Sequence, residues 1–183
     1  TRLAAALPVT NGLVTHLDAG SLGLTDGAAV AAWTDLSGLG NHATQVTASA
    51  QPTYVASHAD YGRAAVQFDG VNDWMDCVDV VNVGSFTVFV VGKFDRSTGS
   101  NMYFMSAQNG TGDDRLRIAS YNDNIQARVG NTGDFTLISG RDTGMHIFAL
   151  NSVPRAWVNG GGPIGTNNNT ATEIGRASWR ERV

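Results

Sequence analysis

The stretch Arg115–Val129, R-L-R-I-A-S-Y-N-D-N-I-Q-A-R-V, decides the fold class. Its two arms, Arg115–Tyr121 and Asn124–Val129, flank Asn122-Asp123, a pair suited to a tight turn. In the first arm Leu116 and Ile118 face one way, with Arg117 and Tyr121 opposite. In the second, Ile125, Ala127 and Val129 alternate with Asn124, Gln126 and Arg128. A period of two with one apolar and one polar face is the mark of an antiparallel hairpin lying on a core.

Working outward, the same period recurs. Val66-Gln67-Phe68 runs into the turn Asp69-Gly70, and Trp74–Val80 is a second short strand. Ser85–Phe94, S-F-T-V-F-V-V-G-K-F, is β-branched and aromatic throughout, which predicts a central strand buried on both faces. Asn101–Ala107 precedes the turn signal Asn109-Gly110. Phe135–Ile138, Met145–Asn151 and Arg155–Val158 follow, the last closing at Asn159-Gly160-Gly161-Gly162. No long segment carries a 3.6-residue apolar stripe; Ala28–Trp33 is the best short helix candidate. Many short strands joined by Gly, Asn and Asp turns predict an all-β, two-sheet antiparallel sandwich or jelly roll.

Composition agrees and excludes several classes. The chain has 183 residues, suited to one domain, and 42% hydrophobic residues supply a core of ordinary size. Only 15% are charged, below the roughly 25% of an average domain, and 22 glycines serve the turns. A net charge of -4 gives no electrostatic reason to bind nucleic acid or an anionic membrane. The longest apolar runs, such as Phe86–Val91, are too short for a membrane-spanning helix. A single cysteine excludes an internal disulfide and a multi-cysteine metal site. Cys77, among Met75 and Val78, reads as a core thiol.

The acids are unevenly spread. Both glutamates, Glu173 and Glu181, lie near the C-terminal end, and the rest of the chain uses aspartate alone. The last segment, E-I-G-R-A-S-W-R-E-R-V from Glu173 to Val183, carries three arginines against two acids, so the body is one charge more acidic than the whole. That segment resembles the in-frame translation of a widely used sequencing adapter, with Trp179 where that translation has Cys. The resemblance implies an appended tail on an assembled environmental sequence; the alternative is an ordinary basic tail. The division expected is a linker or end of an upstream segment at 1–11, a domain at 12–172 and an artefactual tail at 173–183.

A second resemblance covers Gly12 to Gly175. Its carriers are Trp33-Thr34-Asp35-Leu36-Ser37-Gly38, Gly40-Asn41-His42-Ala43, Gln51-Pro52-Thr53-Tyr54, Gly62-Arg63, Val66-Gln67-Phe68-Asp69-Gly70 and Asn72-Asp73-Trp74. Trp157-Val158-Asn159-Gly160 and Ile174-Gly175 follow near the end. In this order they resemble laminin G-like domains of the concanavalin A-like lectin/glucanase superfamily. The resemblance implies a concanavalin A-like jelly roll on a secreted, cell-surface or virion protein. It also implies one more strand after Ile174-Gly175, where the adapter-like tail stands. The fold is therefore expected to lack its final strand, leaving Thr15–Asp18 without its usual partner or paired with the tail.

Catalytic members of that superfamily carry closely spaced Glu and Asp on one strand, and retaining glycosidases need two carboxyls about 5–5.5 Å apart. No glutamate precedes Glu173. Among aspartates, Asp113/Asp114 and Asp76/Asp79 have odd separations that would split them between faces of a strand, and Asp69/Asp73 is the remaining pair. No G-x-S-x-G, His-x-x-x-His or phosphate-binding glycine loop is present. The chain is therefore expected not to be an enzyme.

Two oxygen-rich loops are candidate calcium sites: Asp69, Asn72 and Asp73 in the first, and Asn109–Asp114 in the second. Turn chemistry is the plainer reading of both loops. Sugar recognition needs an aromatic platform beside planar hydrogen-bonding groups, which Arg117, Tyr121, Asn124, Gln126 and Arg128 offer on one sheet face. The concave face in similar sandwiches is a common carbohydrate groove; the plainer reading is a solvated sheet face. Trp33 and Trp74 are expected in the core, Trp157 partly exposed, and Asp35, Ser37 and Asn41 in turns. The expected function is a non-catalytic module binding carbohydrate or a glycoconjugate, as part of a larger extracellular, cell-surface or phage polypeptide. The alternatives are a structural or adhesive protein-binding module and, last, a glycoside hydrolase.

Overall fold

The computed structural model describes residues 10–60, 62–77, 85–94, 102–108, 114–121, 123–129, 134–140, 143–152, 155–161 and 177–180. The strands are β1 (Ala32–Trp33), β2 (Ala43–Thr44), β3 (Thr53–Val55), β4 (Ala65–Gln67), β5 (Trp74–Cys77), β6 (Thr87–Gly92) and β7 (Met102–Gln108). They continue with β8 (Asp114–Tyr121), β9 (Asn124–Val129), β10 (Phe135–Ile138), β11 (His146–Asn151), β12 (Arg155–Val158) and β13 (Ala177–Arg180). Helical structure among the described residues is confined to two 3-10 turns, Ala19–Ser21 and Ala48–Ala50.

The larger sheet runs β1-β2-β5-β13-β7-β8-β9-β10, the smaller β12-β11-β6, and β3 pairs with β4; every pairing is antiparallel. One hydrophobic cluster joins the sheets: Met75, Leu116 and Ile118 from the larger meet Val90, Phe148 and Leu150 from the smaller. Each such side chain contributes roughly 1.5–3 kcal/mol on burial. The molecule is therefore an all-β antiparallel sandwich. Cys77 lies buried in that core, as its neighbours suggested, and Trp33 and Trp74 are partly buried.

The hairpin of Arg115–Val129 forms as its alternation requires. Tyr121 pairs with Asn124, so a two-residue loop joins β8 to β9, and Asp123 takes the left-handed conformation that loop needs (φ 63°). Asn159 (φ 51°) and Gly160 (φ 74°) make the corresponding turn after β12.

Two expectations are corrected. Ser85–Phe94 is not a central strand buried on both faces: β6 borders the smaller sheet among the described residues, and Thr87, Phe89 and Val91 are exposed. Its apolar character persists on a face that no described strand covers. Ala28–Trp33 is not helical. Ala29 bridges Thr53, Val30 N–H donates to Pro52 C=O, and Ala32–Trp33 forms β1. Local alanine content yields there to pairing with two neighbouring segments. The C-terminal segment also contributes a strand: β13 lies between β5 and β7, with Ser178 opposite both Asp76 and Ser106. Leu17 bridges Asp35 rather than the tail. Val78–Val80, Asn109–Asp113 and residues 162–176 of the sequence reading lie outside the described residues.

Candidate ligand-binding face

Register places the five residues singled out for ligand binding on one surface. Opposite pairs along β8 and β9 are Arg117 with Arg128, Ala119 with Gln126, and Tyr121 with Asn124. The alternate set, Leu116, Ile118, Ile125, Ala127 and Val129, is buried in the core. Arg117, Tyr121, Asn124, Gln126 and Arg128 therefore share the outward face of the larger sheet. Tyr121 is 39% exposed, and Asn124 Oδ1 accepts the Gly140 N–H at 3.0 Å.

Two guanidiniums directly opposite one another repel. Asp134, one residue before β10, relieves this. Arg117 Nε donates to Asp134 Oδ1 at 3.1 Å, and its Nη2 to Oδ2. Arg128 Nε donates to Oδ1 at 2.9 Å and Nη2 to Oδ2 at 3.2 Å. One carboxylate thus receives two side-on forks, which fixes both arginines in direction. The sequence reading missed Asp134. Register brings it there: Phe135 pairs with Ala127, so the preceding residue falls beside Arg128 on the polar face.

The face continues toward β5. Thr44, Asp76, Ser178, Ser106, Arg117 and Arg128 occupy consecutive register positions across the sheet. β7 holds a bulge between Tyr103 and Met105. Phe104 there turns to the core, where its ring centroid lies 3.9 Å from that of Phe94 and 5.5 Å from that of Phe148.

In the Asp69–Asp73 loop, Asp69 Oδ1 accepts the N–H groups of Val71, Asn72 and Asp73 at 2.8, 3.1 and 3.2 Å. Asp73 Oδ2 accepts the Asp69 N–H at 2.9 Å, and Asn72 Nδ2 donates to Ser49 C=O at 2.9 Å. Burial pushes the Asp69 carboxyl up, but the three amide donors outweigh it and hold it low. Asp73 is pushed up, by burial first and then by the neighbouring Asp69 charge, against the lowering pull of the Asp69 amide. Asp69, Asn72 and Asp73 do come together, but in a turn closed on its own backbone. Calcium takes 6–8 oxygens, and here one oxygen of each carboxylate is already committed to backbone amides.

The W-T-D-L-S-G-x-G-N-H stretch is tied together in the same way. Asp35 Oδ1 accepts His16 N–H at 2.8 Å and Ser37 N–H at 2.9 Å; Oδ2 accepts Ser37 Oγ–H at 2.6 Å and Asn41 N–H at 2.9 Å. Asn41 Nδ2 donates to Val14 C=O at 2.8 Å, and Ser37 Oγ lies 3.0 Å from the same oxygen. These residues fasten the 14–17 segment to the 35–42 loop.

A third feature was hidden by reading β6 as fully buried. A groove of about 370 Å³ on the outer face of the smaller sheet is lined by Phe89, Ile147, Ala149 and Trp157, with Thr87 and Asn151 at its sides. None of its described lining residues is charged. Comparison with known protein families, with curated proteins and with solved structures finds no match for this chain.

Proposed function

We propose that the chain is a non-catalytic module that binds carbohydrate or a glycoconjugate through the outward face of β8 and β9. The observation that carries this reading is the convergence of Arg117, Tyr121, Asn124, Gln126 and Arg128 on one face, with the two guanidiniums pre-oriented by Asp134. A half-exposed tyrosine ring supplies a stacking surface for the apolar face of a sugar. The planar amides and guanidiniums supply directed hydrogen bonds. The reading includes a laminin G-like jelly roll, carried by a larger polypeptide outside the cell or on a virion. It places no catalysis at the face and gives calcium at Asp69, Asn72 and Asp73 a structural role at most.

A glycan array tests it. Binding that is lost in both Tyr121→Ala and Arg128→Ala supports the face; wild-type binding in both variants removes it. Release of reducing ends from a polysaccharide would overturn the non-enzymatic part. A melting temperature that responds to EDTA would assign calcium to the loop. The protein-binding alternative draws on the exposed Phe89 and Ile147 of the smaller sheet; capture of a glycan-free protein with no array signal would favour it.

A further inference from the structure

β11 reveals which way the backbone of β6 points. Ile147 N–H donates to Asn159 Oδ1 at 2.9 Å, and Ile147 C=O accepts the Asn159 N–H at 2.9 Å, both on the β12 side. Alternation along an antiparallel ladder then turns Phe148 and Leu150 toward β6. Ser152 N–H continues that series by donating to Phe86 C=O at 3.0 Å. The residues of β6 opposite Phe148 and Leu150 are Val90 and Val88. Thr87, Phe89 and Val91 therefore direct their N–H and C=O groups to the other side, where no strand pairs with β6 among the described residues.

The same three residues are exposed on the outer face, Phe89 by 71% and Val91 by 64%. Edge strands are normally protected by charge, proline or a bulge. Residues 87–92, T-V-F-V-V-G, have neither charge nor proline, and pair with β11 in unbroken register.

We propose that β6 pairs antiparallel with β6 of a second copy of this chain, about a two-fold axis at Phe89. A second copy offers the same uncharged edge in a register that closes on itself. The three outward residues are symmetric about Phe89, so Phe89 meets Phe89 of the second copy and Thr87 meets Val91 of the second copy. All three are hydrogen-bonded pairs, giving about six backbone bonds, with no outward group left over. The closed two-fold uses one patch twice. Neutrality matters: a chain of net charge -4 meets its copy here without like charges facing each other. The exposed side chains of Phe89, Val91 and Ile147 become continuous across the axis, and the two smaller sheets become one.

Sedimentation velocity over a range of protein concentrations tests this, with Val91→Pro as the decisive variant. Its missing N–H points to the open edge, so the monomer keeps its ladder to β11 while the dimer loses two bonds by symmetry. The expected result is a concentration-dependent dimer in the wild type and a dissociation constant at least about tenfold higher in Val91→Pro. Phe89→Lys, a charged edge guard at a solvent-facing position, gives the same result if Val91→Pro fails to fold. A wild type that stays monomeric throughout overturns the proposal. So does a dimer unaffected in a folded Val91→Pro, or in Phe89→Lys where Val91→Pro does not fold.

Discussion

At the scale of single residues, two aspartates do opposite things. Burial alone would push the Asp35 carboxyl up; the donors from Ser37, His16 and Asn41 outweigh it and bring it from 3.8 down to about 2. A carboxyl depressed by folding contributes stability that is fully present above its ordinary value and lost as pH falls through the folded one. Asp35 is therefore expected to supply about 2 kcal/mol at neutral pH that disappears between about pH 4 and pH 2. Urea unfolding as a function of pH should show this slope in the wild type and a flatter one in Asp35→Asn. Asp35→Ala leaves three backbone amides without their acceptor and should cost about 3 kcal/mol or more. Asp73 has the reverse sign. Its carboxyl is raised by burial and by Asp69, so the wild type loses stability as pH rises from about 4 through the folded value. Asp73→Asn keeps an acceptor for the Asp69 N–H without the charge. It should melt at or above the wild-type temperature at neutral pH, and the difference should vanish in acid. A lower melting temperature for Asp73→Asn at neutral pH would mean that the charge itself is used.

Elements show where the sequence was legible and where it was not. The β8–β9 hairpin was readable because its alternation, its turn residues and its polar face all agree. β6 was misread because periodicity cannot distinguish a strand buried on both faces from one whose outer face is apolar and open. Local pattern carries no information about what lies opposite. Asp134 was missed because it lies just before β10, and only tertiary register brings it to Arg117 and Arg128. Asp134→Ala should leave the two facing guanidiniums without their shared carboxylate and lower stability by about 1 kcal/mol. The loss should shrink in high salt, which screens the repulsion; a loss independent of salt would mean that Asp134 acts through something other than charge. β6 itself depends on Gly92. A Cβ there would sit 2.6 Å from Phe104 Cε1, and Phe104 cannot retreat because its ring lies against Phe94 and Phe148. Gly92→Ala should cost about 1–3 kcal/mol. Trimming the ring in Gly92→Ala/Phe104→Leu should recover part of that loss in thermal melts, as a non-additive double-mutant cycle.

For the whole molecule, the open question is how the larger sheet is continuous. β5 and β7 do not pair with each other; β13 bridges them, with Trp179 opposite Met75 and Ala177 opposite Ala107. The composition of Glu173–Val183 sets that segment apart from a body with no other glutamate, yet four of its residues lie in the middle of the sheet. Composition alone does not say what a segment touches; register does. If β13 is integral, deleting residues 173–183 exposes two strand edges at once, with unused N–H and C=O groups on each. Such a deletion should lower the melting temperature by on the order of 10 °C, at about 2–4 °C per kcal/mol for a chain of this size, and promote association. Hydrogen exchange would locate the damage, with faster exchange expected in β5 and β7 and little change in β8 and β9. A truncated chain that melts like the full one, with exchange in β5 and β7 unchanged, would show instead that these two strands do not depend on the tail.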